Sequence, residues 1–309
     1  MDKQAGCALS QAIKTNNASK NYIFTSINWV IMLKWDGHTH SEFCRHGSGE
    51  KTNVMVERAI ELGFEVYSIT EHAPLPPGIM DDPELAAEFT LLSHELDDYF
   101  SHLSDIKKFY SNKIKVLAGL EVDFIDGFQD HFDQFTERYL SYLDDLLVSI
   151  HMIKGKNGIA PIDYSPETFE SELISYYGST EEVHRAYWQC MESLVNHPIH
   201  PSLNKRLGHL GLISKFIKRY PIEYNDTGYN PDFARLFWAI KSQGWDLDYN
   251  VAGLKKDLCH DVYITDAMME NCRQYQIRLI YGSDAHDVES VGQFYDVYIE
   301  RAGDAVPTT

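Results

Sequence analysis

Two histidines of this chain stand two residues apart, as His38 and His40 in the segment Asp36-Gly-His-Thr-His. On an extended chain this spacing puts both imidazoles on one face, where they can bind one metal ion. A single His-x-His pair is weak evidence, because two ordinary loop histidines explain most such pairs. The chain has 14 histidines, so the interpretation depends on where the others lie.

Imidazoles and carboxylates recur where predicted strands end. Thr70-Glu71-His72, Glu121, His151 and His209 follow or close β-rich runs, and so does the segment Asp284-Ala-His286. In a parallel barrel the carboxyl ends of all strands converge on one face, so we expect these groups to meet there. Such a rim of polar groups would destabilise the protein unless cations bound to it.

The candidate metal ligands number nine, and they supply nitrogen and oxygen donors without thiolates: His38, His40, His46, His72, Glu121, His151, His209, Asp284 and His286. This mixture favours Zn, Mn or Fe over Ca or Mg. Nine donors exceed the needs of one ion, so the sequence predicts two to three divalent transition metal ions. The remaining histidines lie in predicted helices or polar loops and are predicted to be structural.

Seven predicted strands position these groups: 33–36, 65–70, 114–119, 146–151, 206–210, 245–249 and 277–282. Amphipathic helical segments alternate with them: 53–62, 83–110, 129–143, 166–177, 181–195, 231–242, 265–275 and 288–301. Repeated strand and helix units predict an α/β fold with a parallel sheet. Their number in ~270 residues favours closure into a barrel over an open sheet.

The composition excludes several classes of partner. A formal net charge of −19 and a pI near 5.1 repel phosphate backbones and anionic lipids, which argues against nucleic acid and membrane partners. The chain lacks the run of about 18 apolar residues that spans a bilayer. Five scattered cysteines without a CxxC pair predict reduced thiols and a cytoplasmic protein.

The first 31 residues differ from the rest of the chain. They are rich in Asn, Ser, Thr and Lys and lack a clear hydrophobic period. We interpret 1–31 as an N-terminal extension, disordered or derived from a start codon placed too early. The alternative is an ordinary helix, because 8–13 has helical character. Residues 32–309 are predicted to form one catalytic domain.

From residue 32 onward the chain resembles the polymerase-and-histidinol-phosphatase (PHP) superfamily, and within it the PHP-type histidinol-phosphatases. The matching motifs occur in family order: Asp36-Gly-His-Thr-His-Ser-Glu-Phe-Cys-Arg-His46, Thr70-Glu-His72, Gly119-Leu-Glu-Val-Asp123, Ser149-Ile-His151, Arg206-Leu-Gly-His209, Leu247-Asp-Tyr-Asn-Val-Ala-Gly253 and Tyr281-Gly-Ser-Asp-Ala-His286. Many superfamily members carry Asp where this chain has Gly211, so no role is transferred to that position.

The resemblance implies a distorted seven-stranded TIM-like barrel with a trinuclear metal centre at the carboxyl ends of the strands. It also implies three ligand groups, which are His38, His40, Glu121 and Asp284 for one ion, Glu121, His151 and His209 for a second, and His46, His72 and His286 for a third. A hydroxide held between the first two ions is expected to attack phosphorus in line.

Further roles follow from position beside these motifs. Asp284 is expected to carry a proton to the leaving oxygen, or to act only as a ligand. Arg206 and Lys154 are expected to bind phosphate, or to form surface salt bridges. Glu42 and Asp123 are expected to orient ligand imidazoles, or to be simple surface acids.

The predicted activity is hydrolysis of L-histidinol phosphate, a step of histidine biosynthesis, by a metal-dependent phosphoric monoester hydrolase. The alternatives are a PHP phosphoesterase for another small monoester, for phosphotyrosine or for a nucleic acid 3′ end, and a catalytically silent metal-binding subunit. The acidic charge argues against the nucleic acid, and the intact ligand set argues against the silent subunit.

Overall fold

A computed structural model describes residues 33–79, 87–222 and 231–303. The prediction for 1–31 lies outside these residues. Seven parallel strands form one sheet in the order β1-β2-β3-β4-β7-β8-β9, and β5 and β6 form a separate antiparallel hairpin. The strands are β1 Trp35–Asp36, β2 Val66–His72, β3 Lys115–Asp123, β4 Asp145–Ser149, β5 Met152–Gly155, β6 Gly158–Pro161, β7 Lys205–Leu207, β8 Asp246–Asn250 and β9 Leu279–Gly282.

The first and last strands of the sheet close it into a barrel. The amide of Gly37 donates to the carbonyl of Tyr281 at 2.8 Å, and the amide of His40 donates to that of Ala285 at 2.9 Å. Beyond the strands proper, Thr39 and Ala285 form a parallel bridge. Since β1 and β7 are very short, the barrel is distorted. The predicted seven-stranded α/β barrel is confirmed.

All seven predicted sheet strands are present. They could be recognised because parallel strands that are covered on both faces tend to be rich in apolar residues. Every residue of β4 is buried, as is every residue of β2 except His72. The hairpin β5–β6 was not predicted, since each of its strands has only four residues. It packs beside the mouth of the barrel, directly after His151.

The helices cover the outside of the barrel with their apolar faces. They are Thr52–Glu61, Leu96–Tyr110, Gln129–Tyr139, Thr180–Asn196, Phe233–Ser242, Asp266–Tyr275 and Tyr295–Ala302, with Pro166–Thr168, Phe169–Ile174 and Ser175–Tyr177 forming one mixed helical segment whose middle is a π-helix. Their buried residues join the strands in one large hydrophobic cluster. No helix of the described part of the chain is long and apolar enough to cross a membrane.

Two predicted helices begin later than expected. The segment predicted over 288–301 becomes helical only at Tyr295, because Gly292 and Phe294 adopt positive φ angles of 73° and 51° that an α-helix cannot contain. The segment predicted over 83–110 includes residues outside the described ranges; of the described part, 87–89 are helical, 90–95 are not, and the long helix begins only at Leu96.

Candidate metal centre

All nine predicted ligands lie at one end of the barrel, where strands end or the following loops begin, and a chain of contacts links them. Their sequence separations are large, yet the connecting distances between donor atoms run from 3.0 to 3.8 Å. Adjacent ligands around one ion have this spacing when the metal–ligand bonds are ~2.0–2.2 Å long. The structure therefore brings together all the residues that the sequence nominated as ligands.

Glu121 is the centre of the cluster. Its Oε1 lies 3.0 Å from Nε2 of His209 and 3.5 Å from Nε2 of His151. Its Oε2 lies 3.1 Å from Nδ1 of His72 and 3.3 Å from Nε2 of His38. Burial opposes ionisation, but the neighbouring imidazoles hold the pKa of this carboxyl well below its usual range. One carboxylate is thus placed to bridge two groups of imidazoles.

Asp284 also lies beside the His38 and His40 pair. Its Oδ1 lies 3.2 Å from Nε2 of His40 and 3.6 Å from Nε2 of His38. Its backbone has a φ of 53°, which is uncommon outside glycine, asparagine and aspartate. Its amide donates to the carbonyl of His38 at 2.8 Å. The closure of the barrel therefore fixes Asp284 beside the first pair of histidines.

The pairing of His46 with His286 fits a bound cation. Nδ1 of His46 donates to the carbonyl of Glu88, and Nδ1 of His286 donates to that of Asp284. A carbonyl only accepts, so each Nε2 of the neutral rings carries a lone pair. These two Nε2 atoms face each other at 3.1 Å. Burial and nearby His40 lower the pKa of His286 to about 4, so a cation, rather than a proton, suits this gap.

His151 and His209 form a second such pair, with their Nε2 atoms 3.1 Å apart. Nδ1 of His151 donates to the carboxylate of Asp123 at 2.9 Å, so the neutral form of the ring presents its Nε2 as an acceptor. The orienting role predicted for Asp123 is therefore consistent with the geometry. His72 lies between the groups, with its ring centroid 5.1 Å from that of His46. The donor set and its lone pairs fit more than one divalent transition metal ion.

Two carboxylates that hold ligand rings were not singled out from the sequence. Asp248 accepts from Nδ1 of His38 at 2.8 Å and from the amide of His209 at 3.1 Å. Glu71 lies 3.2 Å from Nδ1 of His40 and accepts from the amide of Ser41. Both are buried. Both residues stand within motifs quoted above, and this could have marked them as site residues. Glu71 directly precedes His72, and Asp248 lies on the sixth barrel strand.

Glu42 does not orient a ligand. Its carboxylate accepts from the amide of Thr52 at 2.9 Å and pairs with Lys51 at 2.9 Å. The side chain thereby satisfies an amide at the beginning of the helix Thr52–Glu61. The prediction that Glu42 orients a ligand imidazole is therefore wrong.

We expect Asp248→Asn to lower the affinity for metal about 10–100-fold, because the neutral amide holds the His38 and His209 segments less firmly. The measurement is the metal retained per chain during titration with a chelator. Asp246→Asn is the matched control, since the same change on the same strand affects only a pair with Arg278 outside the cluster. Equal retention by the two variants would remove Asp248 from this role.

Arg206 does not face the site, and its predicted role in phosphate binding is contradicted. The side chain is 1% exposed, and its guanidinium pairs with the fully buried Asp145 at 2.6 Å. It also donates to the carbonyl of Gly37 and stacks over Trp35. These partners belong to strands on different sides of the barrel, so Arg206 braces the barrel interior below the site.

Lys154 is also outside the site. It is exposed on β5, and its Nζ lies 5.7 Å from the ring centroid of Tyr176. Three other lysines line the cavity above the ligand cluster: Lys215, Lys255 and Lys256. Lys215 pairs with Asp163 at 3.0 Å. These lysines lie in short segments outside the motifs, so no sequence pattern marked them as site residues.

The cavity has a volume of about 620 Å³, and Glu121, His151, His209, Asp284 and His286 form part of its wall. Phe89 and Tyr164 also line it, with their rings edge to face at 5.4 Å. Tyr164 is 57% exposed, which places this aromatic pair near the solvent. The space is large enough for a small phosphate ester with its phosphoryl group against the ligand cluster.

Comparison with known protein families agrees with this geometry. The model of the PHP domain matches residues 36–243, a range that begins at β1 and includes most of the ligands. The chain belongs to the PHP domain family. Seven of the nine ligands lie within that range, while Asp284 and His286 follow it in the loop after β9.

Known proteins similar to this one include the histidinol-phosphatase of Bacillus subtilis, which is 37% identical over 87% of this chain and 100% of its own length. The crystal structure of the hisK protein of Listeria monocytogenes has a TM-score of 0.81 at 32% identity, and the match covers 86% of this chain and 100% of that one. The histidinol phosphate phosphatase of Lactococcus lactis, solved with zinc, L-histidinol and phosphate, shares the fold at 23% identity, with a TM-score of 0.62 over 88% of this chain and 94% of that one.

Proposed function

We propose that this PHP protein is a metal-dependent histidinol-phosphatase that hydrolyses L-histidinol phosphate to L-histidinol and phosphate in histidine biosynthesis. The observation that carries the proposal is one cluster of nine nitrogen and oxygen donors, seven of which line a cavity that accepts a small ester. The full-length match to the B. subtilis histidinol-phosphatase supports the choice of substrate. The partner is thus a small phosphate monoester.

The proposed ligand groups are those that the resemblance implies, with Glu121 shared between the first two. Two to three ions of Zn, Mn or Fe bound there supply positive charge for the phosphoryl oxygens and a nucleophile derived from water at neutral pH. The chain holds the ligand rings ready for this task through Asp248, Glu71 and Asp123. Because the rings are already held in place, no free energy is spent on reorienting them during the reaction, which is the basis of preorganised electrostatic catalysis.

Lys215, Lys255 and Lys256 replace Arg206 and Lys154 as the proposed phosphate-binding cations. A chain with a net charge of −19 repels an anionic ester at long range, so local positive charge must bring the phosphate in. Asp163 holds Lys215 at 3.0 Å on the wall that also contains His151 and His209. We assign these lysines to orientation of the phosphoryl group.

Asp284 acts chiefly as a ligand in this proposal. Its Oδ1 faces the first pair of histidines, and its Oδ2 accepts from Nδ2 of Asn250 at 3.2 Å. The surrounding imidazoles hold the pKa of this carboxyl well below its usual range in spite of burial. A carboxylate with both oxygens engaged in this way is a poor proton carrier.

We also place the protein in the cytoplasm, which agrees with the four free, buried cysteines of the described residues.

The test is phosphate release from L-histidinol phosphate, p-nitrophenyl phosphate and phosphotyrosine by the protein supplied with Zn or Mn. We expect kcat/KM on histidinol phosphate to exceed the others by at least ~100-fold, or about 2.7 kcal/mol, because the imidazole end is recognised. Removal of metal with a chelator should abolish turnover, and added metal should restore it. Similar low rates on all three esters would reject this substrate and favour another small monoester.

A further inference from the structure

Tyr263 lines the cavity without belonging to any of the motifs discussed so far. It lies in the segment before the helix Asp266–Tyr275, and it is 4% exposed. Its ring meets the imidazole of His209 edge to face, with the centroids 6.2 Å apart. The residue is therefore part of the wall directly beside the ligand cluster.

Two glycines hold Tyr263 in this place. Its carbonyl accepts from the amide of Gly211 at 2.8 Å, and a Cβ at Gly211 would come within 2.6 Å of that oxygen. A Cβ at Gly253 would come within 3.1 Å of Cζ of the Tyr263 ring and 2.3 Å of the carbonyl of Asp261. Any side chain at either glycine would displace the segment. This explains why the chain carries glycine at position 211, where many superfamily members carry Asp.

The hydroxyl of Tyr263 makes no hydrogen bond with any of the residues that the structure describes. Tyr263 shares the cavity wall with Asp163 and Asp284. Asp284 belongs to the ligand cluster, while Asp163 precedes Tyr164 on the outer part of the cavity wall. Tyr263 thus lines the same cavity as ligand residues of the cluster and as Asp163 and Tyr164.

We propose that Tyr263 is a catalytic residue whose hydroxyl donates a hydrogen bond to the ester oxygen of the substrate. The P–O ester bond breaks with its electron pair going to that oxygen. In the overall reaction, the hydroxyl group of water is added to phosphorus, and the remaining proton of water is transferred to the leaving oxygen. The hydrogen bond from Tyr263 stabilises the charge that grows there before the proton arrives. The proposal rests on the proposed function only in requiring hydrolysis of phosphate monoesters.

Tyr263→Phe removes one oxygen and keeps the packing of the ring. We expect kcat on an alkyl ester such as L-histidinol phosphate to fall about 100-fold, within the range of acid–base contributions. On p-nitrophenyl phosphate we expect a change below about 3-fold, because a stable phenolate leaves without help. Equal losses on both esters, or no loss on either, would overturn the proposal.

The matched control is Tyr249→Phe, which removes a hydroxyl buried in the core against Tyr298. We expect it to bind the normal amount of metal and to show no dependence on the leaving group. Aryl phosphates of graded leaving-group acidity give a second measurement, on which the variant should show a steeper dependence than the wild type. A steep dependence already present in the wild type would contradict the role. This series remains informative if histidinol phosphate is not a substrate, so the two proposals fail separately.

Discussion

Glu121→Gln is expected to reduce kcat by on the order of 10³-fold or more, equivalent to about 4 kcal/mol of transition-state stabilisation. The reason is that one carboxylate contacts two groups of imidazoles, through Oε1 to His209 and through Oε2 to His72 and His38. Glutamine keeps the shape but removes the negative charge, and it presents an amide N–H₂ to nitrogen lone pairs. We therefore expect metal content to fall together with turnover.

The measurement is metal per chain by elemental analysis, taken beside kcat on the same preparation. Glu61→Gln is a suitable control, because it makes the same chemical change on an exposed helix end. Near-normal turnover or full metal content in Glu121→Gln would contradict the assignment of Glu121 as the shared ligand. A fall in turnover with all metal retained would limit its role to catalysis.

Arg206→Met is expected to lower the free energy of unfolding by about 3–5 kcal/mol, because it leaves the carboxylate of Asp145 buried without its cation. Asp145 is fully buried and Arg206 is 1% exposed. The change also removes the hydrogen bond to the carbonyl of Gly37 across the barrel. In contrast to the expectation from the sequence, KM for the phosphate ester should stay close to that of the wild type.

Urea denaturation and the KM of the folded variant together test this result. The double variant Arg206→Met with Asp145→Leu should recover most of the stability, since a buried ion pair can be replaced by apolar groups at little cost. An unchanged free energy of unfolding combined with a raised KM would return Arg206 to the phosphate site. Equal instability of the single and double variants would show that packing, rather than the lone charge, dominates.

The sequence by itself predicted the barrel, which is confirmed, and nominated the nine candidate metal ligands that the fold brings together. The strands β3, β4 and β9 are mostly apolar and buried, and that pattern is local. The ligands stand at strand ends, and the parallel arrangement brings all such ends to one face. His38 and Glu121 are distant in sequence, yet both could be placed because the strand that precedes each one was recognisable. Because the carboxyl ends of parallel strands meet on one face, local strand patterns were enough to predict which residues gather in one site.

Only the tertiary structure decided the residues that act between elements. Arg206 precedes His209 in one motif, but its side chain points into the barrel, where Asp145 from another strand supplies the counter-charge. Lys215 and Tyr263 enter the cavity because short irregular segments fold over its mouth. Such segments carry no period and no motif, and their side chains acquire a role only through neighbours from remote parts of the chain. The direction in which a side chain points and the residue that it contacts are decided only when the barrel packs.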